Sequence, residues 1–178
     1  MSLNDCRNVE IKAQIINYQE FVEKLNIASE IADKCEPIIL IQRDVFFNTL
    51  RGRLKLRHQL DSTTSQLVHY ERCDIPGPKL SIYNVMEVQD GKLLEKMLTN
   101  SIGLVGILEK IRNLFMCGRT RIHLDIVNNS YFALEFEVKL EPEEDVEVGK
   151  QIAEDLMKKF RISKDRLLKS SYFDILFP

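Results

Sequence analysis

Tryptophan is absent, and glycine and proline are scarce, at seven and five in 178 residues. That shortage excludes a collagen-like or low-complexity chain, and no repeat or inter-domain linker is visible. Cysteine is sparse too. Cys6, Cys35, Cys73 and Cys117 form no C-x-x-C pair, so they read as free thiols of a reducing, cytoplasmic compartment rather than as a zinc site or a disulfide framework. Positive charge is not in excess: Lys plus Arg is 25 and Asp plus Glu is 27, for a formal net charge of −2. That weighs against a general nucleic-acid or anionic-membrane binder but leaves room for a local basic site. No apolar run is long enough to span a bilayer, and Met1 to Arg7 lacks the apolar core of a signal peptide. A G-x-x-x-x-G-K-[ST] loop is also missing, which removes a Walker-type phosphate cradle. What is present, 44% hydrophobic and 29% charged residues, is ordinary for a globular chain, here expected to form a single domain over residues 1–178.

The most informative stretch runs from Arg119 to Leu140. Arg119, Arg121, His123 and Asp125 alternate with Thr120, Ile122, Leu124 and Ile126, a period of two that predicts a strand. Asn128-Asn129-Ser130 supplies turn chemistry, because Asn tolerates a left-handed backbone. The alternation then resumes, with Glu135, Glu137 and Lys139 on one face and Leu134, Phe136, Val138 and Leu140 on the other. The result is a hairpin with one apolar face and one face carrying charges of both signs.

Alternation or β-rich composition predicts further strands at 7–16, 38–47, 53–60, 66–72 and 80–88. Asn17 with Glu20 resembles a capping box that opens a helix carrying Phe21, Leu25 and Ala28 on one stripe. Asp90 caps a short helix with Leu93, Leu94 and Leu98. Ile102 to Met116 fits either a buried helix or a long strand; Gly103 and Gly106 weaken a helix, and strand is favoured. A last helix carries Val146, Ile152, Ala153, Leu156 and Phe160, followed by a helical turn within Ser163–Lys169 and an apolar tail from Tyr172 to Phe177. The expectation is α+β, with eight strands and three or four helices.

The charged faces recur. Glu10 and Lys12 share a face, as do Arg53, Lys55 and Arg57, and Lys110 and Arg112; the hairpin adds Arg121, Asp125, Glu135 and Glu137. Amphipathic helices need an apolar sheet face to cover. If they lie outside, the charges point the other way, either into water from an open sheet or into the tunnel of an eight-stranded closed antiparallel β-barrel. Buried clusters of one sign need a partner. Lys and Arg clusters suit a polyanion, with Arg matching phosphate oxygens bidentately, and carboxylates suit a hard divalent cation. Together they imply a metal-bound phosphate chain.

An ordered series of segments resembles a known family. N-V-E-I-K at 8–12 resembles the E-x-E-x-K signature of the CYTH superfamily, the triphosphate tunnel metalloenzymes. Q-R-D-V-F-F at 42–47, G-R-L-K-L-R at 52–57, Y-E-R at 70–72, G-R-T-R-I-H-L-D at 118–125, E-x-E at 135–137 and S-Y-F-D-I-L at 171–176 are similar to landmarks of its class IV adenylyl cyclase branch. The resemblance implies an eight-stranded tunnel that binds a triphosphate (ATP, thiamine triphosphate or tripolyphosphate) with Mg2+ or Mn2+, and either hydrolyses it or cyclises ATP to cyclic AMP. It also implies Glu10, Asp125, Glu135 and Glu137 as metal ligands, and Lys12, Arg53, Lys55, Arg57, Lys110, Arg112 and Arg121 as phosphate binders. Arg43 and Arg72 join these provisionally, since alternation does not fix which way they point. Glu10 and Lys12 are the implied catalytic pair, with Lys12 holding phosphate or orienting the nucleophile. His123 either lines the tunnel or is bonded within its wall.

One residue departs from the pattern. The first signature glutamate is Asn8, which keeps an oxygen donor but loses a negative charge and any general-base capacity. Asn8 therefore leaves open a polyphosphate- or nucleotide-binding sensor with little turnover.

Overall fold

Alternation becomes strand almost wherever the sequence shows it. In a computed structural model describing residues 6–176, the strands are β1 (Cys6–Ile15), β2 (Ile38–Phe47), β3 (Arg53–Gln59), β4 (Ser65–Arg72), β5 (Lys79–Val88), β6 (Leu104–Cys117), β7 (Thr120–Val127) and β8 (Tyr131–Lys139). The helices are α1 (Tyr18–Ile31), α2 (Gly91–Ile102), α3 (Val146–Lys159) and α4 (Tyr172–Leu176), with a 3-10 turn at Lys164–Arg166. Met1 to Asp5 and the expected tail residue Phe177 lie outside the described residues. The ambiguous stretch is mostly strand, although α2 reaches into it as far as Ile102. No helix among the described residues is long and apolar enough to cross a membrane.

The strands close into an antiparallel barrel in the order β1-β5-β4-β3-β2-β6-β7-β8. Closure leaves no edge strand to template aggregation. Local chemistry fixes the joints. Asn128 and Asn129 take positive φ of 46° and 60° in the β7–β8 turn, where the short Asn side chain makes a left-handed backbone tolerable. The Asn17 side chain accepts from the Glu20 amide at 2.9 Å to cap α1, and Asp90 does the same for α2 through Leu93.

The usual arrangement of core and surface is turned inside out. Val9, Ile11, Ile122, Leu124, Leu134 and Phe136 face outward from the barrel and are buried beneath Phe21 and Ala28 of α1, Ala153 and Leu156 of α3 and Phe160 just after it. A Cβ on Gly149 would come within 2.7 Å of Val9, so a glycine lets α3 lie close on β1. Burial at roughly 25 cal/mol per Å² of apolar surface makes this shell the main favourable term. The barrel interior is left to the polar members of each alternation.

One end of the barrel is plugged. Phe173 of α4 stacks on Phe46 of β2 with ring centroids 4.3 Å apart, and Tyr172 is buried beside it. Gly106 is where this plug seats, because a Cβ there would lie 2.6 Å from the Phe173 ring. Lys79 ties down the chain leading to α4, donating to the carbonyls of Leu168 and Lys169 at 2.9 and 2.8 Å.

Candidate functional site: a charged tunnel

Because inward residues share one parity, the barrel encloses a cavity of about 440 Å³ lined by charges from most of its strands. Lys12, Lys55, Arg57, Arg72, Lys110, Arg112, Arg121 and Lys139 line it, and they outnumber Glu10, Asp44, Glu135 and Glu137. Antiparallel order puts the start of β1 and the ends of β3, β5 and β8 at the mouth opposite α4.

Three of the expected phosphate-binding cations converge on Asp44. Lys55 Nζ donates to its Oδ2 at 3.0 Å, Lys110 Nζ to the same oxygen at 2.8 Å, and Arg57 makes a two-pronged contact at 2.7 and 2.9 Å. Burial alone would raise the Asp44 carboxyl, but Arg57, Lys110 and Lys55 hold it well below the usual range. Burial and the neighbouring Arg57 lower Lys55 to about 8 despite Asp44. Lys110 is pushed well below an ordinary lysine, first by burial. Sequence reasoning missed Asp44. The signal was available: Gln42, Asp44 and Phe46 share a parity, masked by the apolar residues around them.

The second cluster spans β1, β6, β7 and β8. Arg112 holds Asp125 through two bonds of 2.8 and 2.7 Å and reaches Glu135 at 2.9 Å. Lys12 bonds Glu135 and lies 3.6 Å from Glu10. Arg72 pairs with Glu10. Burial lowers Lys12 to about 7, with Glu137 opposing and Arg112 reinforcing the shift. Such a lysine can hold or release a proton near neutrality.

Around Glu137 the contacts are loose, with Arg121 at 3.7 Å and His123 at 3.8 Å. His123 faces inward, its Nδ1 3.3 Å from Glu135. Burial, with Arg112 and Lys12 nearby, pushes its pKa well down, so the ring is neutral and keeps a lone pair for a cation. One ligand atom from each of His123, Glu135 and Glu137 lies within 4.8 Å of the others. Two carboxylates and a neutral imidazole fit a divalent cation. Asp125, expected in that set, is engaged by Arg112, as Glu135 also is, and is not one of this trio.

Two other expected residues, Arg43 and Arg53, lie elsewhere. Arg43 has the opposite parity to Asp44 and leaves the barrel, making a two-pronged bond to Glu95 of α2 at 2.8 and 3.0 Å. Glu95 also meets His58, which bonds Ser65, so this group fastens α2 to the outer wall. Arg53 points to the plugged end, between Asp74 and Asp174. Arg119, grouped with the charged face by parity, precedes β7 and pairs with Glu144 at 2.7 Å. Parity fixes a side chain only inside a strand, and Arg119 is in a turn.

The CYTH domain family matches residues 7–172, and the chain belongs to that family. Among solved structures it is similar to the PH1012 protein of Pyrococcus horikoshii, at 20% identity and a TM-score of 0.80, covering 94% of this chain and 98% of that one. It is also similar to a proposed adenylate cyclase of Vibrio parahaemolyticus, at 19% identity and a TM-score of 0.72 over 95% and 97% of the two chains. A third is HpAC1 from Hippeastrum, a proposed adenylyl cyclase with a dominant triphosphatase activity, at 16% identity and a TM-score of 0.62 over 94% of each chain. At these identities the likeness is one of fold. No curated protein matches the chain.

Proposed function

We propose that the protein is a metal-dependent enzyme acting on a triphosphate, by hydrolysis or by cyclisation of a nucleotide. The observation that carries this reading is the convergence of Lys55, Arg57, Lys110 and Arg112 inside one enclosed cavity, next to carboxylates that leave the cation excess unbalanced. Buried charges of one sign are costly, several kcal/mol each in order of magnitude. A bound polyanion relieves that cost.

The roles follow from placement. Lys55, Arg57, Lys110 and Arg112 hold phosphoryl oxygens and stabilise charge that spreads over them in the transition state. Glu135, Glu137 and His123 would hold Mg2+ or Mn2+, which when bound neutralises phosphate charge and orients the attacking oxygen. Lys12, near its titration point at neutral pH, holds or takes up a proton beside that oxygen, held by its bond to Glu135 with Glu10 3.6 Å away. In hydrolysis the attacking oxygen is that of water. In cyclisation it is a ribose hydroxyl attacking the α-phosphorus, with pyrophosphate leaving. Hydrolysis makes the simpler demand, since no ribose has to be folded back.

A second reading, a polyphosphate sensor with little turnover, has Asn8 in its favour. Asn8 is buried, and its Oδ1 has no hydrogen-bond partner among the described residues. Products formed from ATP, thiamine triphosphate and tripolyphosphate with Mg2+ or Mn2+ decide between the two. Phosphate, pyrophosphate or cyclic AMP at a rate abolished by Arg57→Ala supports the enzyme. Binding without product, with turnover gained in Asn8→Glu, supports the sensor.

A further inference from the structure

The strands build the tunnel, but α4 contributes to its lining as well. Tyr172 and Phe173 both border the cavity, with Ser171 just ahead of them. Phe173 is used up in packing, its ring stacked on Phe46 and seated against Gly106. Tyr172 is different. It is 5% exposed, and its Oη is buried with no hydrogen-bond partner among the described residues. A phenylalanine would fill the same space without leaving a buried hydroxyl unpaired, which is destabilising. The helix that carries it is firmly held. Lys79 donates to the carbonyls of Leu168 and Lys169 just before it, and Asp174 within it is met by Arg53 at 2.7 Å and by the Ser171 hydroxyl at 2.6 Å.

The surroundings of the phenol narrow the choice of partner. Lys12 Nζ lies 5.5 Å from the centre of the Tyr172 ring. Burial first, and then Asp125, push the phenol pKa well above its ordinary value, with Arg112 opposing. The group therefore keeps its proton and is a donor. Asp125 has both oxygens engaged by Arg112, so the free fold leaves that donor unused. From this placement the structure assigns Tyr172 as a further guest-binding residue, its hydroxyl donating to a phosphoryl oxygen held beside Lys12 and Arg112. The assignment rests on the triphosphate reading above and adds to that site a contact from outside the strands. A phosphoryl oxygen has lone pairs enough to accept from a cation and a hydroxyl together. A neutral donor also grips it without adding to the buried positive charge that Lys12 and Arg112 already carry.

Tyr172→Phe deletes the hydroxyl and keeps the ring. Calorimetric titration of the full chain with tripolyphosphate in EDTA, where metal-dependent turnover is suppressed, compares this variant with wild type and with Tyr131→Phe. The Tyr131 ring lies 6.3 Å from that of Tyr172 but is not part of the cavity lining, so it controls for loss of a neighbouring hydroxyl. Tyr172→Phe is expected to bind about tenfold or more weakly, the scale of one hydrogen bond to a charged group. Without ligand it is expected to melt no lower than wild type, because the lost hydroxyl had no partner in the free fold. Tyr131→Phe is expected to bind within about twofold of wild type. Unchanged affinity in Tyr172→Phe, an equal loss in Tyr131→Phe, or a lower melting temperature of ligand-free Tyr172→Phe overturns the assignment and leaves the triphosphate reading standing. If wild type does not bind tripolyphosphate, both fail.

Discussion

Asp44 has three cations on its two oxygens, so its removal leaves Lys55, Arg57 and Lys110 facing one another around a buried position. Deleting one partner of a buried ionic group costs about 3–5 kcal/mol. Asp44→Ala is expected to lose stability on that scale in urea denaturation, with part of the loss recovered when tripolyphosphate is added to replace the missing negative charge. Lys55 gives a pH signature. Its pKa in the folded protein is about 8, against an ordinary value of 10.5. Between those values the unfolded chain binds the proton and the folded one does not, so for this group the stability of the free protein rises with pH across that window. A polyanion reverses the preference and favours protonated Lys55. Tripolyphosphate affinity is therefore expected to fall as pH rises through about 8. Calorimetry in buffers of different ionisation enthalpy should show more proton uptake on binding at pH 9 than at pH 7, an excess that shrinks in Lys55→Gln. Both effects are invisible in sequence. Alternation placed Lys55 and Arg57 on one face, but only the closed barrel brings Asp44 and Lys110 to meet them.

At the scale of elements, the strands were legible because each one alternates over several residues, and β2 and β6 were found despite apolar runs. The plug was legible only in part. Tyr172 and Phe173 read as an apolar tail in need of packing, and Gly106 as a weak helix residue. The contact between them, a ring filling the space a Cβ would occupy, joins residues far apart in the chain and has no local signature. Phe173→Ala is expected to cost about 3–5 kcal/mol, in line with large-to-small changes at aromatic sites. It should also weaken tripolyphosphate binding, because the α4 end of the tunnel opens to water and the cations there are screened. The same scale explains Arg43. Its neighbour Asp44 points in, so Arg43 must point out, and its bond to Glu95 fastens α2. Arg43→Ala is expected to leave tripolyphosphate affinity within twofold of wild type and to lower stability by about 1 kcal/mol or less, as expected of a partly exposed ion pair. A loss of affinity like that of Arg57→Ala would put it back in the tunnel.

Taken whole, the molecule keeps its hydrophobic core between barrel and helices and its charges at the centre. The sequence could say that charged and apolar faces alternate, but closure is decided by the pairing of β1 with both β5 and β8, which composition does not record. The arrangement carries a cost that binding relieves. An internal cation surplus destabilises the empty protein through repulsion and desolvation, and replacing buried ions by apolar residues of similar volume is often neutral or stabilising by about 1–4 kcal/mol. Lys110 is the sharpest case, since it is buried with a strongly lowered pKa, while Arg57 and Lys55 would still satisfy Asp44. Lys110→Met is therefore expected to melt at a higher temperature than wild type when no ligand is present. It should bind tripolyphosphate at least tenfold more weakly, because one phosphate contact is gone. The curves should cross as ligand is added, since binding stabilises by RT ln(1 + [L]/Kd), about 2.7 kcal/mol at a hundredfold excess over Kd. Thermal scans of both proteins over a tripolyphosphate series measure this directly. A variant less stable than wild type without ligand would mean that Lys110 contributes to the fold rather than being held against it for the guest.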